Sequence, residues 1–208
     1  MASTLREMIT RYFPDVWPII IIITVICCSL RISYLILHQE KFCFYKELFM
    51  LFFILYVMCL FEIVTIQDDN YGLSNFIPFR EIFRYQVGSR LFIKNIIGNI
   101  LLFLPYGYFA SDYLKVKKPF WIFFLTMIVS FTIEVVQLYI GRTFDVDDII
   151  LNTIGGGVGF FIYYVLERGK ERLPSFCRSD GFINLVVIVV LIIAIIYLFD
   201  LHVMEFIS

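Results

Sequence analysis

The stretch Ile133–Gly159, "IEVVQLYIGRTFDVDDIILNTIGGGVG", decides how the chain is read. By hydropathy it is the end of one membrane-length apolar run and the start of the next. Yet it carries Glu134, Gln137, Arg142, Asp145, Asp147, Asp148 and Asn152. An ionisable side chain in the middle of a bilayer costs about 2.5–3.5 kcal/mol unless it faces a protein interior or a water-filled cavity. Residues of this kind at these positions need somewhere to point.

The surrounding chain leaves no doubt about the solvent. Of 208 residues, 61% are hydrophobic and only 17% are charged, with a mean hydropathy of +0.87. Soluble domains carry roughly 45–50% apolar and about 25% charged residues. The excess arrives in runs of about 20 residues, the length that crosses hydrocarbon. Composition therefore predicts an all-α, polytopic transmembrane helical bundle with about six spans: Trp17–Leu37, Leu48–Ile66, Ile93–Tyr113, Pro119–Ile140, Asp147–Leu166 and Phe182–Asp200. Short connections make neighbouring helices antiparallel. No repeat or linker divides residues 1–208, so a single membrane domain is expected. The first apolar run is too long for a signal-peptide core. No basic stripe points to nucleic acid as a partner. Five cysteines, mostly within apolar runs, read as packing residues rather than a disulfide framework.

One connection stands apart. Between Gln67 and Phe92, "NYGLSNFIPFREIFRYQVGSR" interleaves Ile77, Phe79, Ile82 and Phe83 with Arg80, Glu81 and Arg84. That spacing is amphipathic but too short and too charged to span, so the segment is expected to lie in the membrane interface or fold back over the bundle. Alternating loops place nine Lys and Arg on one side and seven on the other. The compact clusters "KVKK" and "ERGKER" belong to the nine, which puts them in the cytoplasm and both termini outside.

In either orientation, the start of span three, the end of span four and the start of span five share one face. Asn95, Asn99 and Tyr106 fall on one helical stripe; Glu134, Gln137 and Gly141 follow the same pattern; Asp145, Asp148, Asn152, Gly155, Gly156 and Gly159 repeat it. Convergence on a common polar site is the economical explanation. Each piece also has a plainer reading. Asp145 and Asp148 suit the cap of a helix N-terminus, Gly155 to Gly159 suits close helix packing, and Pro105 suits a kink. Asn95 and Asn99 suit interhelical hydrogen bonds, and Arg142 suits an interfacial anchor. Glu134, about two turns inside span four, is the hardest to assign to structure alone. With no histidine in the cluster, a histidine-based zinc site or a Ser-His-Asp triad is excluded there.

The motifs Asn75-x-x-Pro78-Phe79, Gly98-Asn99-x-x-x-Phe103-x-Pro105-x-Gly107, Glu134-x-x-Gln137 and Arg142-x-x-Asp145-x-x-Asp148-x-x-x-Asn152-x-x-Gly155 together resemble the VanZ-like family of bacterial membrane proteins. The resemblance covers about residues 75–166, and here one further span precedes that core. It implies a multi-pass protein of the bacterial cytoplasmic membrane acting at the cell envelope. The family's name-giving member is an accessory to glycopeptide resistance, associated with teicoplanin.

Besides a structural or assembly role, in which the stripes only specify helix pairing, two uses of the polar cluster follow. In the first, the cluster binds the anionic head group of a membrane lipid or cell-wall precursor at the outer face. Arg80, Arg84, Arg90 and Arg142 would supply charge, with Asn75, Asn95, Asn99, Gln137 and Asn152 adding hydrogen bonds beside Glu134, Asp145 and Asp148. No cofactor or resident metal is then required. In the second, the protein is an enzyme on a lipid-linked substrate, with Glu134, Asp145 and Asp148 as the working carboxylates, alone or holding Mg²⁺. No nucleophile stands out, so catalytic residues are left unassigned.

Overall fold

The computed structural model describes residues 2–65 and 74–207, with side chains described for 18–62 and 74–193. Residues 66–73 of the expected amphipathic connection, and the side chains of Arg6, Arg11 and His202, lie outside them.

The described residues form seven helices and no strand: α1 (Ala2–Leu37), α2 (Phe44–Thr65), α3 (Arg80–Arg84), α4 (Arg90–Leu114), α5 (Pro119–Tyr139), α6 (Val146–Arg172) and α7 (Asp180–Ile207). Five of these are long and apolar enough to cross a membrane: α1 over Pro18–Leu37, α2 over Phe44–Glu62, then α4, α5 and α6. The sixth expected span coincides with α7. Its described apolar part, Asp180–Ile193, is shorter than a span, and the side chains of the remainder are outside the described residues.

The chain divides into two compact units, residues 1–55 with 172–208, and residues 56–171. In the first, the Arg31 guanidinium donates in a fork to Glu47, at 2.8 and 3.0 Å, tying α1 to the first turn of α2. Asn184 on α7 accepts the backbone N–H of Tyr45 at 2.9 Å. His38 stacks on Tyr34 and bonds its carbonyl at the end of α1.

The second unit holds the end of α2, the segment from Ser74, and α4 to α6. Its helices close on small residues. A Cβ on Gly107 of α4 would lie 2.0 Å from the Gly156 carbonyl oxygen of α6, one on Gly155 would lie 2.3 Å from the Ile100 oxygen, and one on Gly159 would lie 2.1 Å from the Leu104 oxygen. Only backbone fits at this crossing, the packing that small-x-x-x-small patterns permit. On the other flank of α6, Thr126 of α5 fills the space in front of Gly156. A second cluster, Leu60 with Phe103, is flanked by Tyr56, Tyr106, Val129 and Ile133.

The buried face of α5 is Ile122, Thr126, Ser130, Glu134 and Gln137, one residue per turn. All but the first are polar. A membrane helix whose inward stripe is polar and whose outward face is apolar (Phe123, Phe124, Met127, Ile128 and Phe131 are exposed) reverses the soluble pattern, as expected where lipid replaces water as solvent. This seam leads to the cluster.

Candidate functional site: a polar cluster at the start of α6

The cluster begins with how α5 ends. Pro119 starts the helix at a position where its missing N–H is not needed. Gly141, at φ +88°, ends it in the left-handed region that favours glycine. The Arg142 N–H then bonds the Gln137 carbonyl at 2.8 Å, and the Gly141 N–H bonds the Leu138 carbonyl at 3.2 Å. This paired arrangement is a Schellman turn. It reverses the chain at once, so that Arg142 to Asp145 come back over Glu134.

There the Glu134 carboxylate, 1% exposed, accepts the backbone N–H of Asp145 at 2.8 Å. Asp145 caps α6: its Oδ1 accepts the Asp147 N–H at 2.9 Å. The same oxygen accepts the side-chain amide of Asn75, also at 2.9 Å. Burial pushes the Asp145 carboxyl above the usual carboxylate range, against the lowering effect of these donors. The residue-75 backbone adds a parallel bridge, with Asn75 N–H to the Phe144 carbonyl at 2.7 Å and Val146 N–H to the Asn75 carbonyl at 3.0 Å. Phe144 is sandwiched by Phe76 and Phe131, with centroids 5.2 and 6.3 Å away.

Asp147 is the residue that the sequence pattern missed. It is 1% exposed, and its two oxygens accept three backbone N–H groups, from Phe79 at 2.5 Å, Glu81 at 2.7 Å and Ile82 at 3.2 Å. A carboxylate of α6 thereby caps α3, a helix about 65 residues earlier in the chain. One turn on, Asp148 accepts the Asn99 amide at 2.5 Å, joining α4 to α6. Asn152 donates to Ser130 Oγ at 2.8 Å, joining α6 to α5, while its own Oδ1 and the Thr126 hydroxyl are buried without a partner. Arg142 lies close enough to act electrostatically on both Glu134 and Asp148.

Of the expected site residues, Asn75, Asn99, Glu134, Arg142, Asp145, Asp148 and Asn152 therefore meet, and Gln137 is buried at the same end of α5. Three others are placed elsewhere. Residues 93–97 form a π-helical turn, which breaks the register between Asn95 and Asn99. Asn95 instead lies close enough to Tyr85 to act on its hydroxyl. Arg80 is exposed at the start of α3, and Arg84, 71% exposed, pairs with Glu81 at 3.1 Å. Within the amphipathic connection, the described helix before α4 is the five residues of α3. Gly141 belongs to a turn rather than to a stripe. Thr126 is a further residue that the stripes leave out, and its spacing with Ser130 and Glu134, four residues each, is the available signal.

Glu134, Asp145 and Asp148 each spend oxygens on a different protein donor. Among the described residues no group of three or more His, Cys, Asp or Glu side chains is placed to hold a metal.

A model of the VanZ/LLP1 family matches residues 45–167, more than half the chain, spanning α2 to α6 and the whole cluster. The chain belongs to the VanZ/LLP1 family. It is a VanZ-like membrane protein, and its family region begins upstream of residue 75, where the motifs alone first become distinctive. Protein VanZ of Enterococcus faecium is 26% identical over 102 residues, which is 48% of this chain and 62% of that relative. The match therefore covers less than two thirds of the relative's length. No solved structure matches the chain.

Proposed function

We propose that this VanZ-like protein binds, without catalysis, the phosphate-bearing head group of an anionic lipid or lipid-linked cell-wall precursor at the outer face of the bacterial cytoplasmic membrane. Arg142 carries the proposal. It is half-buried at the one end of α4 to α6 where the polar side chains gather, beside Glu134 and Asp148. Guanidinium is the side chain suited to forked recognition of phosphate and carboxylate. Arg80 and Arg84 form an exposed basic rim on α3, which Asp147 fastens to the same end of α6. In this reading the carboxylates hold the backbone of the site in place, and the arginines meet the ligand. Asn75 and Gln137 supply neutral hydrogen bonds. An influence on glycopeptide susceptibility, teicoplanin included, is proposed as the consequence of occupying an envelope precursor.

Thermal unfolding in a zwitterionic detergent tests the binding step. Short-chain phosphatidylglycerol is compared with phosphatidylcholine of the same chain length. A ligand at 100 times its Kd stabilises by about 2.7 kcal/mol. Wild type should be stabilised by the anionic lipid only, and Arg142→Gln, measured from its own lipid-free Tm, should lose that shift. Equal shifts from both lipids, unchanged in Arg142→Gln, refute the proposal.

A further inference from the structure

We infer a second membrane contact, which shares Arg80 and Arg84 with the proposed ligand rim but stands without a bound ligand: residues 75–90 form an interfacial anchor. Its apolar side chains dip into the head-group and acyl boundary of the surrounding bilayer.

Phe76 is 67% exposed, Ile77 59%, Phe83 84% and Val87 87%, none of them within a spanning helix. Apolar surface this concentrated on a non-spanning segment marks a contact with something other than water. Three observations say what. The bridge of Asn75 to Asp145 and the grip of Asp147 on Phe79, Glu81 and Ile82 fix the segment at the first turn of α6. That is the level at which a spanning helix enters the membrane. The polar backbone groups are turned inward to Asp147, so the apolar side chains are held outward. Phe79 is locked at φ +67°, a left-handed conformation rare for an aromatic residue. Finally, from Ser74 to Asn95 the segment carries Arg80, Arg84, Arg90 and Lys94 against Glu81 alone. Cations interleaved with aromatic residues match the anionic head-group zone of a bilayer. Tyr139, at the same end of α5 and 92% exposed, fits the aromatic belt at that depth.

The test uses the full chain in vesicles of phosphatidylcholine and phosphatidylglycerol. Trp17→Phe and Trp121→Phe remove both native tryptophans, and Phe83→Trp or Val87→Trp installs a single reporter at a position too exposed to disturb the fold. Brominated phosphatidylcholines carry the quencher at known depths. The anchor predicts that both reporters emit as a partly dehydrated indole and lose most of their emission to bromines nearest the glycerol region. A hydrated, unquenched indole at both sites overturns it, placing the segment in water. A dehydrated indole that no brominated lipid quenches also overturns it, assigning the surface to a protein partner or a second copy of this chain.

Discussion

Asp147→Asn is the perturbation that most sharply separates this account from a merely crowded helix bundle. The carboxylate accepts one N–H on one oxygen and two on the other. An asparagine keeps a single acceptor and turns its amide toward at least one of those donors. Whichever way it flips, it loses one or two charge-assisted hydrogen bonds, each worth about 1.5–3 kcal/mol. A local loss of about 2–3 kcal/mol, at 1.4 kcal/mol per factor of ten, is roughly 30- to 150-fold in the opening equilibrium of the segment. Hydrogen exchange in detergent reads this directly at the amides of Phe79, Glu81 and Ile82. Those amides should speed up by that factor, while the interior amides of α5 and α6 keep wild-type protection. Asp148→Asn, which touches Asn99 instead, should leave the three amides slow. Unchanged exchange in Asp147→Asn would refute the capping role. Loss of protection spread evenly over α4 to α6 would refute its local character.

Further outcomes follow from the same contacts. Gly107→Ala must open the α4–α6 crossing from 2.0 Å toward an ordinary contact of 3.4 Å. That overpacking costs about 1–3 kcal/mol, a Tm several degrees lower at roughly 2–4 °C per kcal/mol. Gly169→Ala on α6, with open space around it, should leave Tm unchanged or slightly raised. Ser130→Ala strands the Asn152 amide and should destabilise by about 1–3 kcal/mol; adding Asn152→Leu should restore much of the loss, as equilibrium unfolding would report. Asp145 gives a pH signature. Its folded-state pKa is raised by burial, so the folded protein holds that proton more tightly than the unfolded chain. Its contribution is then full below the ordinary carboxylate value, falls as pH rises to the raised value, and is constant above. Asp145→Asn, which keeps the oxygen facing Asn75 and Asp147, should flatten this part of the stability-pH curve. A slope unchanged in the variant would contradict the assignment.

The helices were legible because lipid imposes its own length and composition, and α4, α5 and α6 fall within a few residues of their hydropathy limits. Helical spacing places Glu134, Asp148 and Asn152 on inward stripes, and the structure gives each its own partner there: the Asp145 N–H, Asn99 and Ser130. Asp147 was not, since it lies off that stripe and its partners come from a segment about 65 residues away. Nothing in local spacing announces a contact of that range. Asn95 leaves the stripe that spacing gives it because a π turn inserts one residue into the helical count without a marker in sequence. Gly141 matched a stripe by spacing, although its positive φ serves the turn that ends α5. Gly155 and Gly159 show why close packing and a polar site were hard to separate by pattern. The same helix does both, with glycines against α4 in its middle and carboxylates at its start.

Native mass spectrometry of the detergent-purified protein beside Arg142→Ala tests the central claim most directly, provided both show the same lipid-free Tm. The account predicts a retained phosphate-bearing lipid or lipid-linked precursor on wild type and its loss from Arg142→Ala. Two equally folded proteins carrying the same lipids in the same proportion would contradict it, leaving the cluster at the start of α6 with no role beyond joining its helices.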